Sequence, residues 1–377
     1  VTVVRAGRLV LPDSVIGPAW LRVEGDRIAD LGAGEPATCD VDLGDATLVP
    51  GFVDLHCHGG GGHSFSDGPE AALGAVAAHR RSGTTTSLAS LVTDTLGTLE
   101  HQVRDLAPLV ADDELAGVHL EGPWLSSIHC GAHDPALLRD PDPDEVDGLV
   151  SAVPGAVRMV TVAVERQGGL DAVRRLADRG VIAALGHSDA TYALAHAAVD
   201  AGVRVATHLY NAARAVHHRE PGLVLALLER EEVTVELIAD GIHLHPAVLR
   251  DAAVRASGRF ALVSDAMAAA GAADGSYRLG GLQVAVVDGV ARLVPGGAIA
   301  GSAITLAQAL HHAVHVAGVD LPAAVAAITS TPARVLGRDD VGRLAPGAYA
   351  DLVVLDASTR VRRVMRRGAW LDEEIDD

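Results

Sequence analysis

The chain has 377 residues, of which 49% are hydrophobic and 21% charged, which fits one large domain with an accessory piece and excludes global disorder. Its formal net charge is -19 and no basic stripe is present, so partners among nucleic acids or anionic membrane surfaces are excluded. All 30 basic residues are Arg, which removes a Schiff-base lysine, a Walker lysine and a carboxylated bridging lysine from consideration.

The first fifty residues read as short strands at 1–4, 19–23, 27–31 and 46–49, separated by Gly, Pro and Asp. They do not read as a secretory leader. From residue 48 the pattern becomes apolar strands alternating with Ala-, Leu- and Arg-rich helices. Strands are predicted at 48–55, 85–91, 116–120, 158–164, 181–185, 203–207, 233–239 and 260–264, and helices at 69–81, 96–110, 144–152, 170–179, 190–201, 222–229 and 246–256. A β-hairpin is expected over 277–293, then helices at 303–317 and 323–336, then strands at 351–355 and 360–365. The acidic tail, 372–377, reads as frayed.

Near-continuous Val/Ile/Leu/Ala strands belong to a parallel sheet covered on both faces. Eight such repeats make a (β/α)8 TIM-like barrel, with a small β-sandwich domain built from both termini. The expected boundaries are 1–49 with 341–377 for the sandwich and 50–340 for the barrel. A doubly wound open sheet is the alternative, but no G-x-G-x-x-G follows a first strand. Aromatics are 3%, so the core is Val, Leu, Ile and Ala. The three cysteines, Cys39, Cys57 and Cys130, show no C-x-x-C spacing. They argue against a disulfide framework or a thiolate zinc site and for a reducing compartment, the cytoplasm. No apolar run reaches the roughly 18 residues of a membrane span.

Barrel enzymes carry their chemistry at the C-terminal ends of strands. There the sequence places His56 and His58, Glu121, His187, His208, His243 and Asp265. One His after a strand means a hydrogen-bonded loop residue; several strands delivering Glu, His, His and Asp to one face make a metal site by ligand type. His56 and His58 stand at i and i+2, so both point one way and share an ion, while Cys57 points to the other side and packs. Nitrogen and oxygen ligands without thiolate suit Zn2+ or another divalent ion. Asp265 is the candidate for moving a proton from water to a leaving amine, and Glu121 can bridge two ions in the absence of lysine. The residues alone give metal-assisted hydrolysis.

The run Pro50-Gly51-Phe52-Val53-Asp54-Leu55-His56-Cys57-His58 resembles the opening motif of the amidohydrolase superfamily. His119-Leu120-Glu121-Gly122-Pro123-Trp124, Gly186-His187-Ser188, Thr207-His208-Leu209-Tyr210-Asn211-Ala212 and Ser264-Asp265-Ala266 together resemble the N-acetylglucosamine-6-phosphate deacetylase family. Arg219-Glu220-Pro221-Gly222, Gly301-Ser302-Ala303 and Thr331-Pro332-Ala333-Arg334 extend the likeness nearly end to end. The resemblance implies a barrel plus sandwich, a homodimer, and release of acetate from an amino-sugar phosphate. It implies that Glu121, His187 and His208 bind the primary metal and that Asp265 is the catalytic acid/base. It further implies that His133 stabilises the oxyanion, that Asn211, the Ala212 amide and Arg219 hold the phosphate, and that His243 contacts the sugar or its phosphate. Some members lack the His-x-His pair and use one metal; this chain has it, so one or two ions are implied, the second at His56, His58, Glu121 and Asp265.

The loop before His133 carries Ile128-His129-Cys130 where the family usually has basic residues. Cys130 reads either as a thiol approaching the site or as an incidental exposed one. Trp124 reads as loop packing, with a sugar platform as the alternative. His217, His218, His311, His312 and His315 read as surface residues, and Arg362, Arg363, Arg366 and Arg367 as a solvated face. Another amidohydrolase, acting on an N-acyl amino acid or a cyclic amide, is the competing function; a non-enzymatic barrel is the third.

Overall fold

The computed structural model describes residues 1–371; the acidic tail lies outside the described residues. Eight parallel strands form one sheet: β1 Phe52–Asp54, β2 Thr84–Val92, β3 Gly117–Glu121, β4 Val157–Val162, β5 Ile182–Leu185, β6 Val203–Ala206, β7 Thr234–Ile238 and β8 Phe260–Val263. Each neighbour in the sheet is the next strand in sequence, the order of a (β/α)8 barrel. Seven helices alternate with them: α1 Pro69–Arg81, α2 Leu96–Ala111, α3 Pro143–Ser151, α4 Gly169–Asp178, α5 Tyr192–Ala201, α6 Gly222–Glu229 and α7 Pro246–Arg255. Their starts are set by local chemistry. The Thr95 hydroxyl caps α2, the Asp142 carboxylate caps α3 ahead of Pro143, and Thr191 caps α5, which delays that helix two residues past the expected start.

Strand alternation divides the core. Val118 and Leu120 of β3, Ala89 and Leu91 of β2 and Val160 and Val162 of β4 face the helices. Leu88, Met159, Ala184, Val205 and Ala261 fill the barrel interior, joined by Ala333 and Leu336. The barrel closes where Cys57 pairs in parallel with Ala266, and side chains reinforce this seam. Asp54 at the end of β1 accepts from the Ser264 hydroxyl at 2.5 Å, the Ser264 N–H at 3.3 Å and the His56 N–H at 3.2 Å, while Asp265 N–H donates to the His56 carbonyl at 2.8 Å. Burial pushes the Asp54 carboxyl upward, against these hydrogen bonds.

The strand expected over 48–55 is two strands. Thr47–Pro50 pairs with Leu352–Leu355 in an outer sheet, and Phe52–Asp54 is β1. Gly51 is the crossing: a Cβ there would lie 2.2 Å from Thr85 Oγ1, and its N–H donates to the Asp351 carbonyl. The segment expected as a hairpin is a three-stranded meander, Gly275–Leu279, Leu282–Val287 and Val290–Leu293, because its two turns make three strands. The last expected helix breaks at Thr329 into α9 Leu321–Ile328 and α10 Ser330–Val335; Thr329 turns its hydroxyl onto the Val325 carbonyl and Pro332 brings no N–H. Before them, α8 Leu306–His315 begins at a Thr305/Gln308 capping box.

Both termini build the small domain. A four-stranded sheet of N-terminal strands faces a six-stranded sheet in which the strands at 352–355, 361–366 and 369–371 join those at 8–10, 15–16 and 47–50. Val4, Leu21 and Ile28 from one sheet share a core with Leu9, Leu48, Leu352 and Met365 from the other, the contact that makes a sandwich.

The terminal arginines are not the solvated face expected of them. Arg366 pairs with Glu114 at 3.2 Å, Arg367 with Asp113, and Arg363 stacks 4.2 Å over the Trp370 ring. Carboxylates at the end of α2 draw them onto the barrel.

Replacing Asp54 by Ala strands the Ser264 and His56 donors in the interior. Expected is a loss of about 3 kcal/mol or more in chemical denaturation, where hydrogen bonds to a charged acceptor contribute about 1.5–3 kcal/mol each. An unchanged denaturation midpoint would contradict this seam.

Candidate active site

The C-terminal strand ends surround a cavity of about 140 Å³ lined by His58, Glu121, His133, His187, His208, Asn211, Ala212, His243 and Asp265, with Val92, Leu279 and Ile299 as an apolar wall. His56 is fully buried directly against this group. Three of the side chains are aimed by unusual backbone: His187, His208 and Asp265 all have positive φ, at 45°, 25° and 46°. Non-glycine residues adopt this region at a cost, and here it turns each side chain from a strand end into the mouth.

Glu121 is the hub. Its Oε1 lies 3.1 Å from His187 Nε2, 3.0 Å from His208 Nε2 and 3.4 Å from His56 Nε2. Its Oε2 lies 3.3 Å from both His58 Nε2 and His133 Nε2. Asp265 Oδ1 sits 3.2 Å from His58 and 3.5 Å from His56. Two pairs of imidazole nitrogens face each other at 3.1 Å, His187 with His208 and His56 with His58. A facing pair has one shared proton at most; a cation satisfies both lone pairs, so the donor set fits a divalent metal.

The outer ring nitrogens fix which inner nitrogen is free. His58 Nδ1 meets the Ser90 carbonyl at 3.1 Å and His187 Nδ1 the His129 carbonyl at 2.9 Å, so each Nδ1 carries the proton and Nε2 offers a lone pair. His56 Nδ1 meets Glu236 at 3.2 Å. His133 is the opposite case. Its Nδ1 accepts the Thr93 N–H at 3.3 Å, and burial pushes its pKa down to about 4, so the ring is neutral with its proton on Nε2. Although its nitrogen falls within reach of Glu121 and His187, this tautomer makes it a hydrogen-bond donor toward the cavity rather than a ligand.

In the metal-free site, burial opposes charge on Glu121, but His56 and His187 outweigh it and hold the carboxyl well below the usual range. Asp265 is held down likewise, chiefly by His56 and His58 against its burial. Burial also opposes a charged His58, yet Asp265 and Glu121 raise it to about 9. His243 is raised against burial by Asp240, whose Oδ2 lies 2.6 Å from its Nδ1.

Not every expected residue reaches the cavity. Asn211 and Ala212 line it, and Asn211 Nδ2 also donates to the His208 carbonyl at 3.2 Å. Arg219 stands exposed on the loop that follows and is not among the lining residues. Cys57 is buried with Sγ 3.3 Å from His79 Nε2, and burial pushes its thiol up to about 12, so it packs as its outward position implied. Trp124 is fully buried, which settles loop packing over a sugar platform. His311 and His315 bond to Ser358 and Thr359 and tie α8 to the terminal segment.

Sequence reading missed the layer beneath. Ser90 Oγ, His119, Thr161 and Thr207 form a hydrogen-bonded chain across the interior at 2.9, 2.8 and 2.9 Å. Fully buried Glu236 lies beside it on β7. The available signal was a charged residue inside an otherwise apolar strand, Val233-Thr234-Val235-Glu236-Leu237-Ile238.

The amidohydrolase family model matches residues 47–371. An N-acetylgalactosamine-6-phosphate deacetylase of Escherichia coli O157:H7 is 37% identical over 97% of this chain and 98% of its own length. An N-acetylglucosamine-6-phosphate deacetylase of Vibrio furnissii is 34% identical over 87% of this chain and 84% of its own. The Mycobacterium smegmatis N-acetyl-D-glucosamine-6-phosphate deacetylase, solved as a variant in complex with N-acetyl-D-glucosamine-6-phosphate, superposes with a TM-score of 0.96 at 47% identity over 98% of both chains. The chain belongs to the amidohydrolase family, whose members imply a divalent metal at such a site. Within that family it falls in the N-acetylglucosamine-6-phosphate deacetylase branch.

His58 gives a pH test. Its ordinary value is 6.5 and its value in the metal-free fold is about 9, so its contribution to stability is full below pH 6.5 and is lost as pH rises through about 9. A cation at this group needs neutral His58, so binding releases a proton below that pH and tightens as pH rises. Expected, between these two values, is a falling Tm for chelator-treated protein and a growing Tm gain on adding chelate-buffered Zn2+. A gain that shrinks across the window would contradict the assignment.

Proposed function

We propose that the chain hydrolyses the acetamide of N-acetylglucosamine 6-phosphate to glucosamine 6-phosphate and acetate. The observation that carries this is the convergence of His58, Glu121, His187, His208 and Asp265 on one cavity that a neutral His133 also lines. Zn2+ is the proposed metal, one ion at Glu121, His187 and His208 and a second at His56, His58 and Asp265, with Glu121 between them. When bound, the metal would supply Lewis-acid activation of water and of the amide carbonyl.

The chain's own groups do the rest. Asp265 takes one proton of the attacking water and returns it to the nitrogen as the C–N bond breaks, which gives the neutral amine and acetic acid; the acid's remaining proton passes to solvent and leaves acetate. His133 Nε2–H donates to the carbonyl oxygen as negative charge gathers there. Asn211, the Ala212 amide and the exposed cation Arg219 on the same loop receive the phosphate, and His243, braced by Asp240, holds the sugar or its phosphate. Val92, Leu279 and Ile299 offer the acetyl methyl an apolar wall.

Residues 50–340 would carry this chemistry, with 1–49 and 341–377 as the accessory domain. A homodimer belongs to this reading as what the likeness to the deacetylase family implies. Three free thiols fit a reducing cytoplasm, and among the described residues no helix is long and apolar enough to cross a membrane. A second substrate, the galactose epimer, is favoured by the 37% identical relative named for it.

Acetate release from the phosphorylated glucose- and galactose-series sugars, against unphosphorylated N-acetylglucosamine, tests the reading. Strong preference for a phosphorylated sugar is expected, and equal rates on the unphosphorylated one would remove the phosphate assignment. Asp265→Asn should lower kcat by about 10²–10⁴ while the primary ion at Glu121, His187 and His208 is retained, the range of a lost general acid/base. Undiminished kcat would refute that role.

A further inference from the structure

We propose that Glu236 is the positioning residue that makes His56 a metal ligand, and so sets whether the His56–His58–Asp265 group holds its own ion. The inference rests on the two-ion reading above.

Glu236 sits in the middle of β7 with no exposed surface. Its Oε2 accepts from the His208 N–H at 3.2 Å and lies 3.2 Å from His56 Nδ1. Its Oε1 has no partner. A carboxylate only accepts, so the His56 nitrogen facing it carries the proton and His56 Nε2 presents a lone pair toward His58, 3.1 Å away.

The other anchored ligands lean on neutral carbonyls, His58 on Ser90 and His187 on His129. Among them only His56 is backed by a full negative charge, which strengthens the imidazole as a donor. Among the described residues the side-chain partners of Glu236 are the His56 ring and the His208 N–H, so the positive charge facing this buried anion comes through His56. A residue serving packing alone would be apolar here, as Val205 and Ala261 are in the same interior. The side chain does not line the cavity; on the ligand side it meets the His56 ring and only the backbone N–H of His208.

Metal content separates this from a structural role. Wild type, Glu236→Gln and Glu236→Ala are stripped with chelator and titrated with Zn2+ against a chromophoric competitor, and with Co2+ read by its visible spectrum. His58→Ala supplies the one-ion benchmark. Wild type is expected to bind two equivalents. Glu236→Gln should bind the first as wild type does and the second about 10–100-fold more weakly, the usual effect of removing a ligand's outer partner. Glu236→Ala should match the benchmark; if it does not fold, Glu236→Gln decides.

A second equivalent of wild-type affinity in Glu236→Gln would overturn the proposal. Equal weakening of both equivalents would also overturn it, because that outcome marks general loosening through the His208 backbone. One equivalent in wild type would fail the two-ion reading and the proposal together, and is seen without any variant.

Discussion

Glu121 is a single carboxylate reached by five imidazole nitrogens within 3.4 Å. Such a cluster is repulsive to assemble from neutral or charged rings unless something of opposite sign sits at its centre. Glu121 balances rings that are protonated, whereas neutral rings and Glu121 together present lone pairs and negative charge that a divalent cation would satisfy, so the arrangement fits a cradle for an ion. Its members come from four different strand ends, β1, β3, β5 and β6, which a ring of parallel strands brings to one place. The seam at Asp54 therefore matters beyond stability, since the same carboxylate accepts the N–H of His56.

The barrel interior is graded along its axis. Its lower part is apolar, with Leu88, Met159 and Val205. Above lies a polar belt in which His119 bridges Ser90 to Thr161 and Glu236 braces His56. The ligand cluster comes next. Burial keeps His119 well below its ordinary pKa, so its ring is neutral and the charge of the belt is that of Glu236. A rigid dry floor limits how far the ligating rings can reorient, and hydrogen bonds to fixed acceptors choose their tautomers before any ion arrives.

Much of the fold was legible because apolar strands of a doubly covered sheet leave long unbroken Val/Leu/Ala runs, and the helix at 69–81 begins at a proline that marks its own start. What failed was local geometry. The domain boundary was read at 49/50, yet one strand was expected to run through it over 48–55; Pro50-Gly51 divides that apolar run between two sheets. The residues that meet at the cavity were legible from their place after strands and from the family motifs. Glu236 was not, because its role depends on a neighbour far away in sequence. The tautomer of His133 was equally hidden, being set by the backbone amide of Thr93.

The outer sheet seats the strand at 47–50 between the strand at 8–10 and the strand at 352–355. On the ribosome, the N-terminal portion therefore emerges with an unpaired apolar edge. That edge waits for the strand at 352–355, made long after it, before its natural neighbour arrives. During this interval the barrel can complete itself, since its strands are consecutive, while the sandwich stays open and prone to mispairing. Truncations near the C-terminus would thus harm the earliest-made residues first.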